Sequence, residues 1–184
     1  ELEKVFNWTQ TNVHSTMAIC WGAMAMMNFF YKIPKYPLKD KAFGCFEHLN
    51  LMPENKYMRG FTDIVTVPVS RWSEVKQSDI ERQKELEILL ASDEMGPCLI
   101  NDKKHSAIYM INHLEYDTLT LNSEYIRDKS LNKKARQPKH YFPNNDSLKG
   151  PINQWRSHGH LLYQNWINEI YQSTPFDPLN IGMR

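Results

Sequence analysis

Three observations predict an α/β fold with a largely parallel sheet. Strand-like and helix-like segments alternate along the chain, Trp21–Lys32 is apolar almost all round as a buried helix would be, and a short strand runs straight into that helix at MAICWGAMA. In chain order, residues 2–13 read as a helix and 15–19 as a strand ending at Cys20. Ile33-Pro34 stops the buried helix, because a residue before proline is pushed out of the helical region. The Pro- and Lys-rich stretch 33–41 reads as a loop, and short strands are expected over 43–47 and 64–68 with a turn-rich insert, residues 51–56, between them. Residues 78–92 predict an amphipathic helix with Ser78 as its cap. Strands over 98–100 and 107–111 follow, joined by the polar hairpin Asn101-Asp102-Lys103-Lys104. Asp117 is placed to cap a helix running to about Asp128, residues 129–150 read as a long polar loop, and a last helix covers roughly 153–171.

Composition narrows the function classes. With 184 residues, 41% hydrophobic and 23% charged, residues 1–184 are expected to form one domain with a real core. The formal net charge of +1 gives no electrostatic case for nucleic acid or an anionic membrane. The most apolar run, Met17–Met27, is too short to span a bilayer. Cys20, Cys45 and Cys98 form no CxxC pair and no even-numbered framework, which fits a reducing cytoplasm. His14, His48, His105, His140, His158 and His160 show no zinc-binding spacing, so no metal is expected. His158 and His160 read as structural. Residues 1–6 read as the middle of a helix with no initiator Met, so the chain is expected to be the C-terminal portion of a longer protein.

The chemistry concentrates in two places. Cys20 sits between a strand and a helix, where a helix N-terminus favours negative charge and the thiolate is the nucleophilic form. The same turn aims the Trp21 N–H at a developing oxyanion, and Gly22 permits close approach. Met24, Met26 and Met27 read as core. In AIYMINHLEYD, His113 closes a strand and Glu115 follows two residues later, so both project to one side of extended backbone. A carboxylate orienting an imidazole that activates a thiol is the nucleophile–base–orienter arrangement.

Longer blocks carry a resemblance: NVHSTMAICWGAMA, IPKYPL, GCFEH, Ser70-Arg71, HLEYDTLTLNSEYIRD, HYFPNND, WRSHGHLLYQNWIN and YQSTPFD. With these the chain resembles the homoserine O-acyltransferases, and the blocks run nearly end to end. The resemblance implies a three-layer domain like the class I glutamine amidotransferases, which is flavodoxin-like. It implies a cysteine acyl-thioester at Cys20, His113 as proton acceptor and Glu115 as its partner. Lys41, Ser70 and Arg127 match positions that bind the amino-acid substrate, for which a guanidinium offers a bidentate hold on a carboxylate. Acetyl-CoA or succinyl-CoA is the implied donor, L-homoserine or L-serine the acceptor, a homodimer the implied assembly, and no bound cofactor is needed. Serine O-acetylation, glutamine hydrolysis and a catalytically silent ligand binder are the alternative readings. The chain departs from the family's Gly-His-Pro-Glu with Asn112-His113-Leu114-Glu115, and Val69 stands where a His commonly precedes the Ser-Arg pair. Losing Gly and Pro is expected to bear on how the imidazole is placed. Both changes, close to the site, are expected to bear on whether serine or homoserine, which differ by one methylene, is the acceptor.

Overall fold

A computed structural model describes residues 1–131 and 135–175. They run through α1 (Leu2–Asn12), β1 (Thr16–Ile19), α2 (Trp21–Tyr31), β2 (Tyr36–Asn50), β3 (Ile64–Glu74) and α3 (Gln77–Glu81). After these come β4 (Leu86–Ser92), β5 (Gly96–Asp102), β6 (Ala107–Met110), α4 (Thr120–Leu131) and α5 (Arg156–Ser173). The strands form one sheet in the order β1-β6-β5-β4-β2-β3.

Side chains alternate across this sheet with the period of two that extended backbone imposes. On β6, Ile108 and Met110 face a core built with Val65, Val67, Leu121, Trp155 and Leu162. Ala107 and Tyr109 face the other way, onto Met24 and Met27 of α2, with Phe6 of α1 packed against that cluster. Helices therefore cover both faces, and the three-layer arrangement holds. The methionines of α2 are core, as their apolar surroundings suggested.

The sheet is mixed and not largely parallel. Of five pairings only β1 with β6 is parallel. The reason is connection length. Residues 93–95 and 103–106 are tight turns that reverse the chain, whereas a parallel neighbour needs a long crossover. The parallel pair, β1 and β6, has residues 20–106 between its strands, ample for one.

Two local expectations also change. Residues 78–92 do not make one helix; α3 ends at Glu81 and Leu86–Ser92 is strand β4. Leu86, Glu87 and Ile88 pair antiparallel with Asp102, Asn101 and Ile100, so a partner strand overrides helix-favouring Glu and Leu. The stretch 33–41 is also not simply loop, because β2 starts at Tyr36 and pairs with Glu74. A bulge lies between Pro37 and Ala42, and β2 meets β4 only through Leu49 and Asn50. Pro37 thus sits where no second neighbour needs its missing N–H. The α4 helix begins three residues after Asp117, whose main-chain carbonyl accepts from Thr120 N–H at 3.1 Å.

One glycine fixes a loop that reaches the site. Gly44 has φ +145°, and a Cβ there would lie 2.3 Å from the Lys139 carbonyl oxygen. Without that atom, Lys139 bonds β2 on both sides, donating to Phe43 O at 3.0 Å and accepting from Cys45 N–H at 2.8 Å. The segment leading back from Lys139 to Arg136 and Ala135 is held on β2 by these bonds. No helix among the described residues is long and apolar enough to cross a membrane.

Candidate active site

Parallel pairing puts the two chemical segments at one edge. Ile19 of β1 is in register with Met110 of β6, so Cys20 and His113 both leave the carboxyl ends of adjacent strands. Cys20 takes φ 51° and ψ −116°, a region that residues with a Cβ rarely adopt. Its N–H donates to Met110 O at 2.7 Å and its carbonyl accepts from Met24 N–H at 3.1 Å, which together hold the elbow. The Trp21 N–H opens the first turn of α2, where backbone donors lack intrahelical acceptors. Its indole is exposed. Cys45 and Cys98 are buried, and burial pushes both thiols up to about 12. Neither is a nucleophile at neutral pH.

His113 is buried and its Nδ1 lies 2.6 Å from Glu115 Oε1. The other nitrogen, Nε2, is buried without a formed hydrogen bond, and the Cys20 thiol is close enough to act on it. Such contacts are commonly long before substrate binds. Burial works against a charged imidazole here, but Cys20 and Glu115 outweigh it and push His113 up to about 9. The ring also stacks on Tyr116, centroids 4.1 Å apart.

The two departures flanking His113 are accommodated by packing. Asn112 lies outside the left-handed region, so no glycine is required there. Its Oδ1 accepts from Arg71 Nε at 3.1 Å and its Nδ2 sits 3.0 Å from His48 Nε2. All three side chains are buried. Burial, and to a lesser degree the Arg71 charge, hold His48 down to about 4, leaving Nε2 free to accept while Nδ1 donates to Phe46 O at 2.9 Å. The His113 N–H donates to Pro68 O at 2.8 Å. Leu114 joins the core with Trp155 and Leu162, and Val69 is buried within β3.

Helix α5 presses on this loop directly. A Cβ on Gly159 would stand 2.5 Å from the Leu114 carbonyl oxygen, between His113 and Glu115. Gly159→Ala should therefore shift the loop. Helix propensity favours Ala by about 1 kcal/mol, while overpacking costs about 1–3 kcal/mol. The expected result is a small change in melting temperature with turnover lowered at least about tenfold, because misplacement by about 1 Å is costly to catalysis. Full activity in this variant would show that the close contact does not matter.

A cavity of about 770 Å³ opens beside Cys20 and His113. Lys41, Ser70 and Arg127 line it with Cys20 and His113, so five of the six side chains expected in the site meet there, and the sixth, Glu115, is not on the wall but holds His113 Nδ1. Lys41 Nζ, nearly buried, lies 3.1 Å from Glu124 Oε2, 2.7 Å from Asp128 Oδ2 and 3.9 Å from the Phe43 ring centroid. Ser70 donates to Glu124. Arg127 turns its Nε and Nη2 to Asp128 Oδ1 at 3.0 and 2.8 Å, which leaves Nη1 for another acceptor. Sequence reasoning missed Tyr116 and Glu124. Tyr116 adjoins the His-x-Glu motif, and Glu124 is three residues before Arg127 on the same helix face. No group of three His, Cys, Asp or Glu residues suited to a metal ion occurs among the described residues.

Comparison with known proteins decides the family. The homoserine O-succinyltransferase family model matches residues 1–176. Homoserine O-acetyltransferase of Rhizobium leguminosarum is 54% identical over all of this chain and 60% of its own length. The enzyme of the same name from Agrobacterium fabrum is 54% identical over 99% of this chain and 59% of its own. The chain belongs to the homoserine O-succinyltransferase family. It spans about 60% of the length of these relatives. Solved structures agree on the fold. A glutamine amidotransferase from Thermotoga maritima superposes with TM-score 0.65 at 12% identity, covering 94% of this chain and 69% of its own. One from Methylobacillus flagellatus gives 0.61 at 9%, covering 91% and 68%. The chain therefore has a fold like that of the class I glutamine amidotransferases, here with a mixed sheet.

Proposed function

We propose that the protein carrying this chain transfers an acyl group from acyl-CoA to the hydroxyl of L-homoserine through a thioester on Cys20. The observation that carries this reading is the line Cys20–His113–Glu115 at the mouth of a cavity walled by Lys41, Ser70 and Arg127. In the first half-reaction Cys20 Sγ attacks the acyl carbonyl, and the Trp21 N–H is one donor to the oxyanion. The C–S bond to CoA breaks, and the leaving sulfur takes the proton from His113. His113, now neutral and held by Glu115, then accepts the hydroxyl proton of homoserine as its oxygen attacks the thioester. Cys20 Sγ leaves, and the product is an O-acyl ester. Acetyl is the first donor to test, since relatives at 54% identity are named homoserine O-acetyltransferases.

The full-length protein, assayed with homoserine or serine crossed against acetyl-CoA or succinyl-CoA, should form O-acetylhomoserine fastest. O-acylserine as the main product, or ammonia released from glutamine without acyl transfer, overturns the reading.

A further inference from the structure

The imidazole of His113 is braced by its own loop and, separately, by the sheet. Glu115 on Nδ1 and the stacked Tyr116 ring fix it within residues 113–116, so these two braces travel with the loop. Ties from the loop to the rest of the chain include His113 N–H on Pro68 O, Trp155 Nε1–H on Tyr116 O at 2.7 Å, and the side chain of Asn112. Of these, the Asn112 amide engages two strands at once, β3 through Arg71 and β2 through His48. Arg71 carries the tie further, donating to Ser73 O at 2.9 Å and to Met95 O in the turn between β4 and β5.

This network admits one hydrogen-bond arrangement. A guanidinium only donates, so Oδ1 of Asn112 and not Nδ2 must face Arg71. Nδ2 then points at His48 Nε2, which must be bare to accept from it. The His48 proton is left on Nδ1, where the Phe46 carbonyl can only accept. His48, Arg71 and Asn112 are 1%, 5% and 0% exposed, so water does not replace a lost partner. Turning the amide over would strand buried donors and acceptors together, which is costly. Glycine, the family's residue at this position, makes none of these bonds.

We propose that Asn112 is a positioning residue: its amide, clamped between His48 and Arg71, sets where the His113 imidazole stands relative to Cys20. The assignment rests on the reading of His113 as the base in acyl transfer and deepens it. The test uses the full-length protein with homoserine and acetyl-CoA. His48→Leu leaves Asn112 Nδ2 without an acceptor, whereas His48→Gln puts an amide oxygen near the place of Nε2. In His48→Leu, kcat should fall at least about tenfold with KM for homoserine changed less than about twofold, because the base is misplaced while the binding wall is intact. His48→Gln should recover kcat to within about threefold of wild type, as restoring the acceptor restores the clamp. His48→Gln as slow as His48→Leu, His48→Leu as fast as wild type, or a loss confined to KM overturns the assignment.

Asn112→Asp, which matches the native residue in shape, decides the matter if His48→Leu does not fold. It keeps the bond to Arg71 but turns an oxygen toward the bare His48 Nε2, so the clamp closes only when His48 takes up a proton. Its kcat relative to wild type should therefore fall as pH rises between about 5 and 8. Arg71 on β3 and Cys98 on β5 adjoin the amide, and Cys45, Glu47, Asp93, Glu94 and His140 share the cleft that His48 lines. These are unchanged in the variant, so a new pH response belongs to the added carboxylate. A ratio that stays flat overturns the assignment. Wild-type protein that forms no O-acylhomoserine overturns the reading of His113, and the positioning role with it.

Discussion

Cys20→Ala is expected to take up no acyl mass from acetyl-CoA or succinyl-CoA and to lose at least about 10⁴-fold in turnover, the scale on which deleting a covalent nucleophile acts. No other thiol can stand in, because Cys45 and Cys98 are enclosed and burial pushes both up to about 12. Peptide mass spectrometry after incubation with acyl-CoA alone is the measurement. Acyl mass on the Ala variant would put the nucleophile elsewhere. A companion substitution separates strain from chemistry. The elbow holds Cys20 at φ 51°, which costs a residue with a Cβ about 1–3 kcal/mol and a glycine almost nothing. Cys20→Gly should be as inactive as Cys20→Ala yet melt higher by about 2–4 °C per kcal/mol relieved. Equal melting temperatures would mean the elbow is not strained.

Glu115→Gln should keep the fold and lower turnover by at least about a hundredfold, about 2.7 kcal/mol of transition-state stabilisation. The loss belongs to the second half-reaction, where His113 must take a proton from the hydroxyl while Glu115, 2.6 Å from Nδ1, steadies the cation. Rapid mixing should show Cys20 acylation much less affected than deacylation by homoserine. Stability supplies an independent readout. Folding raises His113 from 6.5 to about 9 against the opposing effect of burial, through Cys20 and Glu115. A raised value means that the native state holds its proton more tightly than the unfolded chain does. The associated stabilisation is complete below pH 6.5 and disappears as pH rises through about 9. The melting-temperature gap between wild type and Glu115→Gln should close over that range. A gap that does not change with pH would detach Glu115 from the imidazole and reduce the machinery to a Cys–His pair.

The candidate site was more legible in the sequence than the sheet that builds it. Cys20, His113 and Glu115 carry their chemistry in residue type and local spacing, and the structure brings all three together. The flanking Asn112 and Leu114 looked disruptive because sequence shows a missing glycine but not the buried Arg71 and His48 that bracket the amide. Strand β4 was invisible for a related reason. Leu86–Ser92 favours a helix by composition and becomes strand through β5, a partner that local periodicity does not register. Sheet direction failed on connection length, since turns as short as residues 93–95 admit only antiparallel neighbours. Glu124 was overlooked because an acidic residue on a helix face is ordinarily solvated, and only the fold turns it onto Ser70, Tyr116 and Lys41.

The β1–β6 seam makes the distance between the two reacting groups discrete. Cys20 lies one residue past Ile19, and His113 three past Met110, on strands locked partner to partner. Each step of slippage along such a ladder moves one group about 3.3 Å past the other and turns its side chain to the opposite face. There is no small misalignment to evolve through or to repair. Single-residue insertions between Thr16 and Cys20, or between Ala107 and His113, should abolish transfer outright. Comparable insertions in the turn at residues 51–56, far from the seam in sequence, should be tolerated. For anyone recombining members of this family, these two distant segments behave as one inheritable unit, and crossover points belong outside both.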